Sequence, residues 1–363
     1  MNAETAGRDG HDSWAQAQRS GIHVFGAGGF GRSVAAAVRE RGVTVHSLLV
    51  SGDPTQHDWN GIPIRRADMD RLQNAPVWIG VFNRERDSDY SALREQLGSL
   101  AKRMPLIWPQ LYYQWVQDSL GWRFWLHQPG DYAQAEPKIN AARNLLEDPA
   151  SRSAFDRILN FRRLDRPDWH SPQPSGDTQY LPGWLREKIG TPLRIVDGGA
   201  YRGETLLEIA GIASLQQAWT FEPDPENFAA LVHNLAALAM PVTNIPAGLA
   251  DTCSTAEFAL GRGESGTFMP GAGTRVPVVA LDECLRGAPV NFLKLDVEGH
   301  EMAALAGAVQ TLRRERPILA VAGYHRWDDL WRIPLMIDKL QLGYRQRLSL
   351  HAHNTFDSVF YAY

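Results

Sequence analysis

The sequence predicts an α/β protein with two doubly wound, mostly parallel sheets in series. Three observations predict it. Short apolar runs alternate with helically spaced apolar residues in two stretches, one from Gly21 and one from Leu193. Each stretch opens on a strand, a glycine turn and a helix. At 363 residues, the chain is long enough for two domains. The composition, 44% hydrophobic and 21% charged with a net charge of −4, is globular and lacks the basic excess of a nucleic-acid binder. Cys253 and Cys284 are too few for a disulfide framework. No apolar run reaches the ~20 residues of a membrane span. The polar residues 1–20 hold no signal-peptide core, so a cytoplasmic protein with neither membrane nor nucleic-acid partners is expected.

Residues 1–20 read as a flexible tail, and 21–130 as a first, smaller Rossmann-like domain. Its strands are expected at 22–25, 43–50 and 77–81, with helices at 33–41 and 88–103. Residues 106–125 are a Trp- and Tyr-rich closing segment whose rings should pack a core. Residues 131–190 form a helical and proline-rich linker. Pro149 should split its helical part in two, and Pro167, Pro172, Pro174 and Pro182 mark an extended stretch. The second domain occupies 191–363. Strands are expected at 193–196, 218–221, 242–249, 290–295 and 317–322. Helices are expected at 204–213, after Asp224-Pro225, at 299–314 and at 327–342. Residues 255–281 read as an inserted hairpin, and 344–350 with 358–363 as an antiparallel edge.

Ligands of open α/β sheets bind outside the carboxyl ends of the strands. In the second domain those ends carry Asp197, Glu222, Asp251, Asp296 and His325. The turn Gly198-Gly199-Ala200-Tyr201-Arg202-Gly203 lacks the lysine of a phosphate-binding loop. Its glycines allow a ligand to approach the backbone, and Asp197 at its start would repel a pyrophosphate. Glu222 ends the next strand, where an acid accepts bonds from ribose hydroxyls. A cationic nucleoside, S-adenosylmethionine, meets both demands. The plainer alternative makes Asp197 a helix cap.

Three segments carry a family resemblance: Asp197-Gly198-Gly199-Ala200, Phe221-Glu222-Pro223-Asp224-Pro225-Glu226-Asn227-Phe228 and Lys294-Leu295-Asp296-Val297-Glu298-Gly299-His300-Glu301. Together they resemble the FkbM family of methyltransferases, over about residues 137–363 and including Tyr180-Leu181-Pro182. The resemblance implies a class I methyltransferase fold. It also implies methyl transfer from S-adenosylmethionine, usually to a hydroxyl, here of a sugar, glycan or secondary metabolite. Asp197, Gly199 and Gly203 would border the methionine part, Glu222 would hold the ribose and Asp251 would lie near the adenine. Gly198, Ala200, Thr205, Pro223 and Asp296 complete the expected cofactor surface. Many members place Glu-x-His after the fifth strand, whereas this chain has Ala322-Gly323-Tyr324-His325-Arg326-Trp327-Asp328-Asp329.

An alcohol does not ionise unaided near neutral pH, so the implied chemistry needs a base or a metal. His325 and His300 are the candidate bases, with Glu298 to orient either. Asp296, Asp328 and Asp329 could instead offer three oxygens to Mg²⁺; in the plainer reading Asp328 caps a helix.

In the first domain Gly26, Gly28 and Gly31 satisfy G-x-G-x-x-G between a strand and a helix, and Asp53 follows at roughly the ~20-residue distance of a ribose-binding acid. With Gly61-Ile62-Pro63 and Ile79-Gly80-Val81-Phe82-Asn83-Arg84, residues 21–110 resemble the nucleotide-sugar-binding domain of PglD-type sugar acetyltransferases. An unused scaffold, a nucleotide-sugar pocket and a working dinucleotide site all stay open. The rival functions are therefore an NAD(P)-dependent oxidoreductase and a nucleotide-sugar-binding module without chemistry.

Overall fold

The computed structural model describes residues 6–67, 72–163, 171–259 and 273–363. The chain divides into two units, and each is entered more than once. Unit 1 comprises Met1–Glu136, Ala154–Pro174 and Ala352–Phe356; unit 2 comprises Pro137–Ser153, Ser175–His351 and Asp357–Tyr363.

Unit 1 opens with a helix, α1 (Ala6–Ser20), where a flexible tail is expected from the polar sequence. Among its described side chains, Trp14 stacks on Trp115 at 5.6 Å between ring centroids, and Ala17 is buried. There follow β1 (Ile22–Phe25), α2 (Gly29–Glu40), β2 (Val45–Val50), β3 (Asp58–Trp59), β4 (Ile62–Arg66) and β5 (Val77–Ile79). Then come α3 (Tyr90–Gln96), α4 (Gly98–Arg103), β6 (Leu106–Ile107) and α5 (Pro109–Leu120). The helix expected at 88–103 is thus two helices, with Gly98 at the break at a φ of 29°. The sheet runs β3-β4-β2-β1-β5-β6, parallel except for the β3–β4 hairpin, so the strand order reverses between β1 and β5. The aromatic closing segment packs the core as expected: Tyr112 stacks on Trp78 at 4.6 Å and Trp108 on Tyr90 at 4.1 Å.

The helices α6 (Asp131–Leu145) and α7 (Pro149–Arg162) follow, with Pro149 opening the second, where its missing N–H is not needed. The boundary between the units falls inside both helices. Of the four linker prolines, Pro167 lies outside the described residues.

Unit 2 continues with α8 (Gly183–Arg186), β7 (Leu193–Gly198), α9 (Glu204–Ile212), β8 (Leu215–Phe221), α10 (Pro225–Leu235) and β9 (Val242–Ile245). Next are β10 (Gly248–Leu249), β11 (Ser254–Phe258), β12 (Thr274–Val279), α11 (Leu281–Leu285) and β13 (Phe292–Leu295). The chain closes with α12 (Glu301–Ala306), α13 (Val309–Glu315), β14 (Ile318–Ala322), α14 (Asp329–Lys339), β15 (Gln346–Leu350) and β16 (Ser358–Ala362). Its main sheet is ordered β15-β16-β14-β13-β7-β8-β9, parallel from β14 to β9, with β16 antiparallel to both neighbours. This is the expected parallel sheet with an antiparallel C-terminal edge. The central strand β13 is buried throughout, and Leu193, Ile195, Leu206, Ile209, Leu231 and Phe292 pack one core cluster.

Three expected elements differ. The strand at 242–249 breaks around Pro246, which lacks a ladder donor. Its second piece, β10, leaves the main sheet for a three-stranded one, β10-β12-β11. That small sheet contains the expected hairpin, whose residues 260–272 lie outside the described residues. The helix at 299–314 divides at Gly307, where a Cβ would sit 2.0 Å from the Ala250 carbonyl oxygen. The last helix starts at Asp329 and carries Pro334 inside it. Cys253 and Cys284 are free, exposed thiols. Among the described residues no helix is long and apolar enough to cross a membrane.

Candidate active site

The site is built on the carboxyl ends of β7, β8, β13 and β14. At β7 the turn is dictated by packing. Gly199 has a φ of +72°, and a Cβ there would lie 1.8 Å from the Asp296 carbonyl oxygen. A Cβ on Gly198 would meet Leu249 at 2.7 Å, and one on Gly203, at a φ of +91°, would meet Leu235 at 2.9 Å. These glycines therefore let the turn close against its own protein, a correction to the expectation that they make room for a ligand. Tyr201 in the same turn also has a positive φ, 48°, which is uncommon for a residue with a side chain. Ala200 is buried, while Thr205 in the first turn of α9 and Pro223 after β8 are half-buried.

Asp197 is fully buried, and Lys294 of the neighbouring strand β13 reaches it at 2.9 Å. The Lys294 Nζ also donates to the carbonyls of Gly198 at 3.2 Å and Gly199 at 2.7 Å. Burial pushes the Asp197 carboxyl up, against the pull of Lys294. Burial opposes charge on Lys294 too, but Asp197 and Asp296 outweigh it and hold the ammonium above its ordinary value. Asp197 thus anchors the turn from below rather than capping the helix or facing a ligand. Lys294 is a site residue that sequence reasoning missed; its signal is a lone lysine inside the apolar run of β13.

Glu222 follows β8 and is 6% exposed. Its Oε2 accepts the Tyr201 N–H and its Oε1 the Asp224 N–H, both at 2.9 Å. Burial pushes its carboxyl up to about 7, against the two backbone donors. Asp224 caps α10, accepting from the backbone of Glu226 and Asn227, with Pro225 in the first turn as expected. Because an ionised carboxylate offers about four acceptor positions, Glu222 can still accept from a ligand.

The ends of β13 and β14 bring Asp296, Glu298 and His325 together. The His325 Nε2 lies 3.3 Å from Asp296 Oδ1 and 3.7 Å from Glu298 Oε1. Its Nδ1 lies 2.8 Å from Oε1 of Glu301, a fully buried residue in the first turn of α12. The same Glu301 oxygen accepts the Val297 N–H at 2.9 Å and the Gly299 N–H at 3.4 Å, pinning the loop that presents Glu298. Burial opposes charge on His325, but Glu301 and Glu298 outweigh it and hold the imidazole well above its ordinary value. Tyr180 donates to Asp296 Oδ2 at 2.6 Å and Tyr324 to Oδ1 at 3.4 Å. His325 is fully buried, whereas the Asp296 and Glu298 side chains keep 23% and 20% exposure. The carboxylates, not the expected histidine, are therefore the members open to a reactant.

Other expected site residues fall elsewhere. Asp328 pairs with Arg332 at 3.1 Å, and the buried Asp329 accepts the Arg326 N–H at 2.7 Å. Burial and nearby Glu301 push Asp329 up to about 8. The expected Mg²⁺ set of Asp296, Asp328 and Asp329 is thus not what the fold assembles: helix-start geometry claims the last two. His300 is the half-buried N-cap residue of α12, and burial depresses its pKa. Asp251 is exposed and follows β10, so it ends no strand of the main sheet.

In unit 1, Gly26 has a φ of +117° and a Cβ there would lie 2.6 Å from the Gly80 carbonyl oxygen; one on Gly31 would lie 2.0 Å from that of Gly26. Gly28 faces open space. Asp53 lies beyond the end of β2, its side chain 92% exposed and 3.7 Å from Arg66.

Residues 197–346 match the family model described as the methyltransferase FkbM domain. Among solved structures the chain is similar to the methyltransferase FkbM from Methylobacillus flagellatus KT. They are 18% identical over 99% of each chain with a TM-score of 0.70, a likeness of fold. Fibrillarin from Aeropyrum pernix, solved with natively bound S-adenosyl-L-methionine, is 16% identical over 50% of this chain and 72% of its own, with a TM-score of 0.32. Precorrin-6y C5,15-methyltransferase from Geobacter metallireducens GS-15 is 12% identical over 53% and 93%, also at 0.32. No curated protein matches the chain.

Proposed function

With an FkbM methyltransferase domain at residues 197–346 as the premise, we propose that the protein methylates a hydroxyl of a sugar, glycan or secondary metabolite, using S-adenosylmethionine. One observation carries this reading. A buried acid, Glu222, and a cluster of partly exposed carboxylates, Asp296 and Glu298, stand at carboxyl ends of the same sheet. The donor set fits a cationic nucleoside: carboxylates line the site, and Lys294 is bonded to Asp197 and to turn carbonyls.

When bound, S-adenosylmethionine supplies an electrophilic methyl group whose C–S bond breaks, its electron pair passing to sulfur, as the acceptor oxygen takes the methyl. Glu222 accepts hydrogen bonds from the ribose hydroxyls while Tyr201 N–H and Asp224 N–H hold its carboxylate in place. Lys294 fixes the turn that borders the methionine part through its bonds to Gly198 and Gly199. One carboxylate of the Asp296–Glu298 pair would receive the single proton of the acceptor hydroxyl, and His325, held by Glu301, sets the position of the pair from behind.

Calorimetry with S-adenosylmethionine and with NAD tests the reading. Binding of S-adenosylmethionine that weakens in Glu222→Ala is expected. NAD binding with no S-adenosylmethionine binding would overturn it in favour of an oxidoreductase. In our reading unit 1 serves as scaffold rather than as a nucleotide or nucleotide-sugar site. Gly26 and Gly31 are taken up by backbone packing, and Asp53 is exposed beside Arg66.

A further inference from the structure

We infer that Asp296, Glu298 and His325 bind one divalent transition-metal ion, with Glu301 as the residue that positions the histidine. The inference rests on the methyltransferase reading for the ion's use, but not for its binding.

One ligand atom from each of the three residues lies within 4.8 Å of the other two, close enough for a single ion to touch all three. The set is more than a patch of acids. His325 is fully buried, and its Nε2 is directed at both carboxylates, at 3.3 and 3.7 Å. Its other nitrogen is engaged by Glu301 at 2.8 Å. That is the carboxylate–histidine arrangement that fixes the ring and makes the remaining nitrogen a better ligand. Glu301 is itself held by the Val297 and Gly299 amides, so the ring direction is set by buried backbone. The Tyr180 hydroxyl orients Asp296 through Oδ2, while Oδ1 faces His325 and also accepts from the Tyr324 hydroxyl at 3.4 Å. The partial exposure of Asp296 and Glu298 provides both an entry path and room for an acceptor oxygen.

One imidazole nitrogen with two carboxylate oxygens suits Mn²⁺, Fe²⁺ or Zn²⁺ better than Mg²⁺, which prefers an octahedron of oxygens. At this position the ion would draw electron density from an acceptor hydroxyl and ease loss of its proton to a carboxylate.

The test is a titration of the full chain with Mn²⁺ alone, read by the electron paramagnetic resonance signal of the free ion. One Mn²⁺ per chain is expected. Glu298→Gln, at a partly exposed position that tolerates the change, weakens binding by about tenfold or more. Glu301→Gln, which never touches the ion, weakens it by about 10–100-fold. Asp328→Asn leaves it unchanged. An undiminished free-ion signal at equimolar protein, or binding indifferent to Glu298→Gln, would overturn the site and leave His325 holding a proton instead. Calorimetry with S-adenosylmethionine separates the two readings. Cofactor binding without Mn²⁺ binding sinks the ion and spares the methyl transfer; Mn²⁺ binding without cofactor binding does the reverse.

Discussion

The two glycine turns, at 26–31 in unit 1 and 198–203 in unit 2, look like versions of one device and are surrounded by different chemistry. Both follow a central parallel strand and precede a helix. In both, the crowded glycines serve backbone packing: Gly31 against the Gly26 carbonyl, Gly199 against that of Asp296. The difference lies in the side chains around them. Beside the first turn, the acid at the ribose distance is exposed and paired with Arg66. Beside the second, Glu222 is buried and held by two amides, and a buried lysine ties the turn to the next strand. A glycine pattern thus reports a tight strand–turn–helix corner, and the ligand is decided by which strand-end side chains are buried and fixed.

This comparison can be broken in several ways. The largest effect is expected from Gly199→Ala and Gly31→Ala. Each places a Cβ within about 2 Å of a carbonyl oxygen, so a loss of about 3–5 kcal/mol, or no folded protein, should appear in denaturant unfolding. Lys294→Met strands Asp197 in the interior and should cost a similar 3–5 kcal/mol or so. The double variant Lys294→Met/Asp197→Leu should regain much of it, and equal instability of the two would show that the ion pair is not the cause. Glu222→Ala should weaken S-adenosylmethionine by about 1.5–3 kcal/mol, roughly 10–150-fold in calorimetry. Asp53→Ala should leave that affinity unchanged; a comparable loss there would erase the distinction between the turns.

A pH series sharpens the same point. Glu222 holds its proton up to about 7 in the folded protein, against an ordinary value of 4.5. Between those values the native state binds more protons than the unfolded chain, so this group alone makes stability fall as pH rises through that window. Cofactor affinity should move the other way, rising as the carboxylate ionises near 7, and should lose that dependence in Glu222→Gln. The smallest effect is expected from Gly28→Ala, where the Cβ would enter open space: under about 0.5 kcal/mol by thermal unfolding.

Much of this was legible from the sequence. Runs such as those at 22–25, 193–196 and 290–295 are mostly apolar over strand lengths, and the Asp224-Pro225 start and the Pro149 break work through neighbours only a few residues away. Periodicity and capping are local, so the sequence states them outright. The α1 helix was not legible, because what holds it is Trp14 against Trp115, a partner far along the chain. Nor was the break at Pro246, where the chain changes sheets.

The sequence by itself determined the two glycine corners, the alternation of strands and helices that follows each, and the acids at the ends of β7, β8 and β13. Only the tertiary structure decided what those acids do. It sank Asp197 against Lys294, turned Asp328 and Asp329 into helix-start groups, and set His325 behind Asp296 and Glu298 with Glu301 at its back. The reason is physical. A carboxylate's role depends on its burial and on the donors within a few ångströms, and for the pairs His325–Glu301 and Asp296–Tyr180 the partner lies 24 and 116 residues away in the chain.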